Sequence, residues 1–317
     1  MARHEDFAQP HVSTQPFAGR LGANQEFILD REKLENAPFL KRLPDASPFM
    51  SVQEIFNMRG FLEPELWKAA TTEGLGMILF LWITGWIGTR PASDPVPTLS
   101  PTSGVYGTPI FLGPLTGGIT NLILLSLFIF TLGPISGSHL NPMITLSIFT
   151  ARLMTFPRLV LYVAFQVVGA SIAGLMLRAS FGGRDFLTGG CTIETDLVPT
   201  REIFALEFMS DFTLIFLSSG VGLDPRQRET LGPSLGPILV GFALGVMAFG
   251  TGFSRPGYPG ASMNPGRCMG VFVGSRFPHW AWIIWVAPIS ATIIHGVIYF
   301  ALPPWTYPKI RINDVLH

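Results

Sequence analysis

The chain has 317 residues, 13% of them charged and 48% hydrophobic, against ~25% charged for an ordinary soluble domain. Lysine plus arginine equals aspartate plus glutamate at 21 each, so no charge excess argues for a nucleic-acid partner. Two cysteines, Cys191 and Cys268, and six scattered histidines fit neither a disulfide scaffold nor a metal site.

Met1 to Arg20 mixes charges with proline and has no apolar core, so no cleavable signal peptide is expected. Residues 1–64 are polar and carry Pro10, Pro16, Pro38, Pro44 and Pro48, which reads as a cytosolic amino-terminal tail, partly disordered. Six apolar runs follow at about 66–88, 109–133, 158–179, 203–223, 235–253 and 280–302. Each is near the ~20 residues a membrane helix needs. Residues 65–303 therefore read as a multi-pass membrane domain in a lipid bilayer, and 304–317 as a carboxyl-terminal tail. An even number of spans puts both termini on one side. With Arg152, Arg158, Arg226, Arg228, Lys309 and Arg311 also there, that side is expected to be cytosolic, and the membrane the plasma membrane. Arg90, Arg178, Arg184, Arg201 and Arg255 fall on the opposite side and oppose that orientation.

Two stretches interrupt the apolar runs: Gly137-Ser138-His139-Leu140-Asn141-Pro142-Met143, and Gly260-Ala261-Ser262-Met263-Asn264-Pro265-Gly266-Arg267-Cys268. An asparagine caps a helix by accepting from a free backbone N–H, and proline at the next position needs no donor. Asn-Pro alone is a common turn dipeptide. Two copies, each after a long apolar run, instead mark re-entrant helices. From Asn141 to Thr150 a helix at ~1.5 Å per residue reaches ~15 Å, about half a bilayer core.

Glu73 lies in the first run and Glu207 in the fourth, so each half reads as helix with Glu, helix, Asn-Pro half-helix, helix. Three full spans per half make the second half (about 200–303) enter from the side opposite to the first (about 65–180). The expected fold is all-α: six transmembrane helices plus two re-entrant half-helices in an inverted repeat, with a shared site midway. Glu73 and Glu207, the deepest acids apart from Asp211, must face the bundle interior. They read as a proton relay or as acceptors for the backbone N–H groups of the irregular loops; the second reading is preferred, because non-helical backbone inside a membrane must be satisfied by protein.

Two helix amino ends facing each other put positive dipole ends at the centre, which disfavours cations and hydronium. The amides of Asn141 and Asn264 supply donors and the loop carbonyls supply acceptors, which suits small neutral solutes bearing hydroxyls. Arg267, on the first turn of the second half-helix, adds a fixed donor, or else snorkels or pairs with an acid. No nucleophile–base pair or phosphate loop suggests an enzyme, and no cofactor is called for.

With these motifs the chain resembles the major intrinsic proteins, the aquaporins and aquaglyceroporins, over about residues 66–302. The likeness rests on Ser136 to Pro142, Asn264-Pro265-Gly266-Arg267, and both glutamates. Both copies depart from the family's usual Asn-Pro-Ala, with Met143 and Gly266 third. Cys268 after the arginine and Gly189-Gly190-Cys191 in the third loop are similar to the X intrinsic protein subfamily of fungi and plants. The resemblance implies a homotetramer with one pore per subunit. It also implies a selectivity filter which, by counting, falls on Asn121, Ala248, Ala261 and Arg267, and a structural role for His139. Orthodox water channels carry an aromatic ring and a histidine where this chain has Asn121 and Ala248, which predicts a wider mouth passing glycerol-like polyols and water, with hydrogen peroxide or urea as further candidates. Cys268 is a redox or gating thiol or a small hydrophobe behind Arg267, and Cys191 could bridge subunits; their pairing stays open. The competing functions are a proton-coupled transporter using Glu207 or Asp211, and a closed-pore structural or regulatory protein with the tail as a plug.

Overall fold

The computed structural model describes residues 14–22, 28–92, 108–224, 234–253 and 255–302. Arg226, Arg228, Lys309 and Arg311, and with them the carboxyl-terminal tail, lie outside the described residues. The amino-terminal tail contains two short helices, α1 (Ala37–Arg42) and α2 (Val52–Ile55), the latter closed by a Ser51/Glu54 capping box. The bundle follows as α3 (Pro64–Ile87), α4 (Thr108–Ser136), α5 (Pro142–Thr150), α6 (Phe156–Phe181), α7 (Thr200–Gly222), α8 (Leu235–Thr251), α9 (Pro265–Gly274) and α10 (Ile283–Ala301). Two three-residue strands, β1 (Thr89–Pro91) and β2 (Phe186–Thr188), pair antiparallel with Thr89 opposite Thr188.

Five of these helices are long and apolar enough to cross a membrane. The sixth, α8, has 17 residues and stops at Gly252, where the chain turns back toward α9. The short helices α5 and α9 each begin at an Asn-Pro and return to the face they came from. Each packs on the last helix of the other half, α5 on α10 and α9 on α6. The halves are therefore cross-braced.

Close helix crossings rest on small residues, as expected where no water drives helices together. A Cβ on Gly169 of α6 would lie 2.2 Å from the Gly74 carbonyl oxygen of α3, and one on Gly245 of α8 2.7 Å from that of Gly118 in α4. Outside these seams, large apolar side chains such as Leu79, Phe216, Val246 and Ile293 are exposed. Lipid or neighbouring copies are the natural cover for such faces.

The described part of the tail is folded onto the bundle, while residues 1–13 and 23–27, to which the expectation of partial disorder also applies, lie outside the described residues. Asp45 is fully buried against the Arg158 guanidinium (Nε–Oδ2 2.7 Å, Nη2–Oδ1 3.0 Å) and accepts from the Thr155 hydroxyl. Arg31 ties this segment together by donating to Glu54 and to the carbonyls of Pro44 and Pro48. A bidentate arginine pair of this kind is worth most when both partners are satisfied, and it supplies order that composition does not reveal.

Candidate functional site

The site is built where the amino ends of α5 and α9 meet. Asn141 caps α5 by accepting from Met143 N at 2.9 Å, and Asn264 caps α9 by accepting from Arg267 N at 3.0 Å. Pro142 and Pro265 occupy the first helical positions. Each cap also donates across the junction: Asn141 Nδ2 to the Met263 carbonyl at 2.7 Å, and Asn264 Nδ2 to the Leu140 carbonyl at 2.8 Å. Leu140 (φ 47°) and Met263 (φ 49°) are left-handed. That geometry costs non-glycine residues about 1 kcal/mol, and it turns each carbonyl toward the opposite asparagine. The amides are donors as expected, but their exchange across the junction is not legible in the sequence, because only the fold brings the two loops together. The spacing of a bulky residue before each Asn-Pro gives no hint of its backbone hand.

The two loops are held from behind by the buried glutamates. Glu73 accepts from His139 N (3.0 Å), Leu140 N (2.7 Å), the Ser136 hydroxyl (2.6 Å) and Gln166 Nε2 (2.9 Å). Glu207 accepts from Ser262 N, the Ser262 hydroxyl and the Tyr258 hydroxyl (2.7 Å). Gln166 and Tyr258 were not singled out in the sequence; a polar residue in an otherwise apolar run was the available signal for Gln166. Asp211, one turn beyond Glu207, is buried with no hydrogen-bond partner among the described residues. His139 donates through Nε2 to the Gly19 carbonyl at 2.9 Å, so it meets the tail.

A cavity of about 640 Å³ runs past both caps. It extends from Arg90 and Arg255 at the face carrying β1 and β2, past Arg267, to His139 and Leu21 at the tail face. All four residues assigned to the filter, Asn121, Ala248, Ala261 and Arg267, line it. Asn121 gives its amide N–H to the Gly117 carbonyl at 2.8 Å, leaving its Oδ1 as an acceptor. Among the described residues no carboxylate lines the cavity, whereas three arginines do. Met143 is buried in the α5 junction and Gly266 packs against Pro142, where a Cβ would come to 3.0 Å of the ring.

The cysteines correct three readings at once. Cys191 and Cys268 form a disulfide within the chain. Cys268 is thus neither a free thiol nor a simple hydrophobe, and Cys191 is not available to a neighbouring subunit. The β1–β2 pairing ties the third loop, three residues before Cys191, to the segment after α3. Arg267 does not snorkel: it donates to the Gly189 carbonyl (3.0 Å) and to Cys191 Sγ (3.1 Å).

The model of the family described as "Major intrinsic protein" matches residues 62–299. A curated rice protein, "Probable aquaporin TIP4-1", is 31% identical over 173 residues, covering 53% of this chain and 63% of the relative. Maize "Aquaporin TIP4-3" is 30% identical over 248 residues, covering 76% of this chain and 91% of the relative. The chain thus spans just under two thirds of the first curated relatives it matches. Among solved structures, the X-ray structure of the aquaglyceroporin from Plasmodium falciparum is similar with a TM-score of 0.54 at 14% identity, covering 74% of this chain and 95% of that one. At that identity the likeness speaks for the fold.

Proposed function

The chain belongs to the major intrinsic protein family, and from that premise we propose that it is a passive transmembrane channel for small uncharged solutes: glycerol-like polyols and water, with hydrogen peroxide or urea also within its reach. The observation that carries this reading is the cavity lining, in which two helix amino ends and Arg267 supply positive potential and no carboxylate offsets it among the described residues. A cation entering there loses hydration and gains no counter-charge. A hydroxyl can exchange bonds with Arg267, the Asn121 Oδ1 and the loop carbonyls.

A proton-coupled mechanism needs an acid on the path. Glu207 is occupied by Ser262 and Tyr258, and neither it nor Asp211 borders the cavity. The exposed apolar faces support a homotetramer with a pore in each subunit. Part-buried Arg152 at the tail face supports cytosolic termini, and a plasma membrane is part of the same proposal. The Gly189-Gly190-Cys191 turn and Cys268 support placement near the X intrinsic proteins. The test is stopped-flow light scattering of proteoliposomes with water, glycerol, urea and sorbitol, with and without a pH gradient. Glycerol flux independent of the gradient, and no cation current in patch recordings, is the expected result; flux that follows the proton gradient rejects the channel.

A further inference from the structure

We propose that the Cys191–Cys268 disulfide and the Gly189-Gly190 turn it fixes determine the channel's solute specificity, by holding the Arg267 guanidinium at the edge of the pore. The proposal rests on the channel reading. Arg267 and Cys268 are consecutive, and the disulfide leads from Cys268 to Cys191, while the guanidinium donates to that same cysteine's Sγ and to Gly189 O. Side chain, disulfide and turn therefore close one small cycle. The turn is itself anchored to the end of α3, with Gly189 N donating to the Gly88 carbonyl (3.1 Å) and Thr89 paired with Thr188. Gly190 stands at φ 75°, and a Cβ there would lie 3.1 Å from Ala261 O and 3.2 Å from Arg267 Nη1. One backbone turn thus touches two filter residues together.

Both acceptors of the guanidinium are neutral and both belong to this turn. If the turn moves, the long arginine side chain regains its rotamers and the filter loses a fixed wall. Two perturbations should then act in opposite directions. Cys191→Ala with Cys268→Ala frees the turn and widens the gap. Gly190→Ala presses Nη1 away from the turn and toward the axis, because the turn is tethered and the guanidinium is the part that can yield.

The measurement is permeability to erythritol and glycerol, each relative to water, in proteoliposomes. The double cysteine variant should raise the erythritol-to-glycerol ratio roughly tenfold, the scale of one pocket contact, and Gly190→Ala should lower the glycerol-to-water ratio. Parent protein treated with excess dithiothreitol, which opens the bond to two thiols as the reagent becomes a cyclic disulfide, should follow the cysteine variant once mass spectrometry shows both thiols labelled. Unchanged ratios in the folded cysteine variant or the reduced parent overturn the proposal. Absence of flux in every form, and also after deletion of residues 1–22 with the bundle intact, rejects the channel itself.

A different observation carries a second inference at the opposite mouth: the geometry points to residues 17–22 as an autoinhibitory gate. Phe17 lies under the Arg158 guanidinium (4.2 Å) and beside Tyr162 on α6, and Gly19 abuts Ile148 on α5. Leu21 N donates to the Gly137 carbonyl, and Gly22 N donates to Gly222 at the end of α7 (3.0 Å) while abutting Pro237 on α8. Six residues thus cross from α5 and α6 to α7 and α8, over the end of the cavity that Leu21 and His139 line. Ala18 N donates to the Asp45 carbonyl (2.7 Å), whose carboxylate holds Arg158, so the strap is buckled to the bundle by a buried ion pair.

Phe17→Ser with Leu21→Ser in the full chain should release the strap. Water and glycerol permeability should both rise several-fold while their ratio stays constant, since the filter is untouched. Deletion of residues 1–22 should do the same, and circular dichroism with the oligomer mass checks that the bundle is intact. Equal flux in parent and opened variants overturns the gate, whereas no flux in either, with the bundle intact, rejects the channel.

Discussion

The two Asn-Pro half-helices share one core and differ in everything that surrounds it. Both loops are left-handed before the cap, both caps bond the opposite loop's carbonyl, and both loops hang from a buried glutamate. Around α5 the outer support is non-covalent: Gly19 meets His139, Leu21 meets Gly137, and Tyr162 donates to the Ser136 carbonyl at 2.7 Å. Around α9 it is covalent, through Cys191–Cys268, and beside it Ala261 of the entering loop and Arg267 of the first helical turn line the cavity. The difference teaches that repetition supplies the site's symmetry, and that specificity and regulation are added to it separately, one at each mouth. A filter must not move, which suits a staple. A mouth that opens needs contacts that can be released.

The sharpest way to break this comparison is at the glutamates. Glu73 gathers four donors from α4, the first loop and α6, whereas Glu207 is served by two residues of a single loop and has a second buried acid, Asp211, one turn away. Glu73→Ala leaves several buried donors without a partner, each worth about 1–3 kcal/mol, and should cause the largest loss of stability. Glu207→Ala should cost less, because it strands the donors of only two residues, Ser262 and Tyr258, both in one loop. Thermal unfolding in detergent followed by circular dichroism ranks the pair, and a larger loss at Glu207 would contradict this view of the two supports.

The next largest effect should fall on the proposed filter, at the mouth beside the disulfide. Asn121→Phe with Ala248→His places two rings in a section that now holds an amide and a methyl. Glycerol loses both room and the Asn121 acceptor, while water can still bond Arg267. The expected fall in the glycerol-to-water ratio is roughly ten- to two-hundredfold, read by paired stopped-flow measurements. A parent-like ratio in the folded variant removes Asn121 and Ala248 from the filter.

The helices were largely legible in the chain. The six apolar runs lie within a few residues of α3, α4, α6, α7, α8 and α10, because a ~20-residue apolar stretch has few other uses. The half-helices were visible through their caps, and the repeat through two glutamates at similar distances ahead of them. What stayed hidden needed contacts between distant segments. Nothing at Cys191 or Cys268 announces their partner. The polar composition around Asp45 reads as loose chain until Arg158 is seen buried beside it. The cross-donation by Asn141 and Asn264 depends on carbonyl directions that follow from Leu140 and Met263, residues with no local preference for a left-handed backbone.

A smaller effect separates the two caps. Asn264→Ala removes the bond to Arg267 N and the donation to Leu140 O, and the first of these alone is worth ~1 kcal/mol. Asn141→Ala removes the matching pair. Because α9 is also stapled through Cys268, Asn264→Ala should leave the protein more stable than Asn141→Ala, yet disturb solute ratios more, since its loss frees the turn that carries Arg267. Melting temperature and glycerol-to-water ratio, taken together on both variants, test this crossing of effects. Equal ratios with unequal stability would mean that the cap does not help to set the filter.

The smallest effect concerns the third residue of each motif, Met143 in one repeat and Gly266 in the other. Gly266→Ala gains helix propensity of about 1 kcal/mol. Against that, its Cβ meets Pro142 Cδ and Cγ at 3.0 and 3.1 Å and Met77 Cε at 3.2 Å. The methionine tip can swing aside, but the proline ring is fixed by the Asn141 cap, so the two half-helices must part by a few tenths of an ångström. Overpacking of this kind costs about 1–3 kcal/mol, which leaves a net loss of about 1 kcal/mol, with the cross-bonds of Asn141 and Asn264 lengthened. A double-mutant cycle with Met77→Ala isolates the part carried by the methionine: coupling of about 0.5 kcal/mol is expected, the remainder staying with Pro142. A Gly266→Ala variant as stable as the parent would show that the meeting point of the two halves has slack, and that glycine there is not demanded by the approach of the opposite proline.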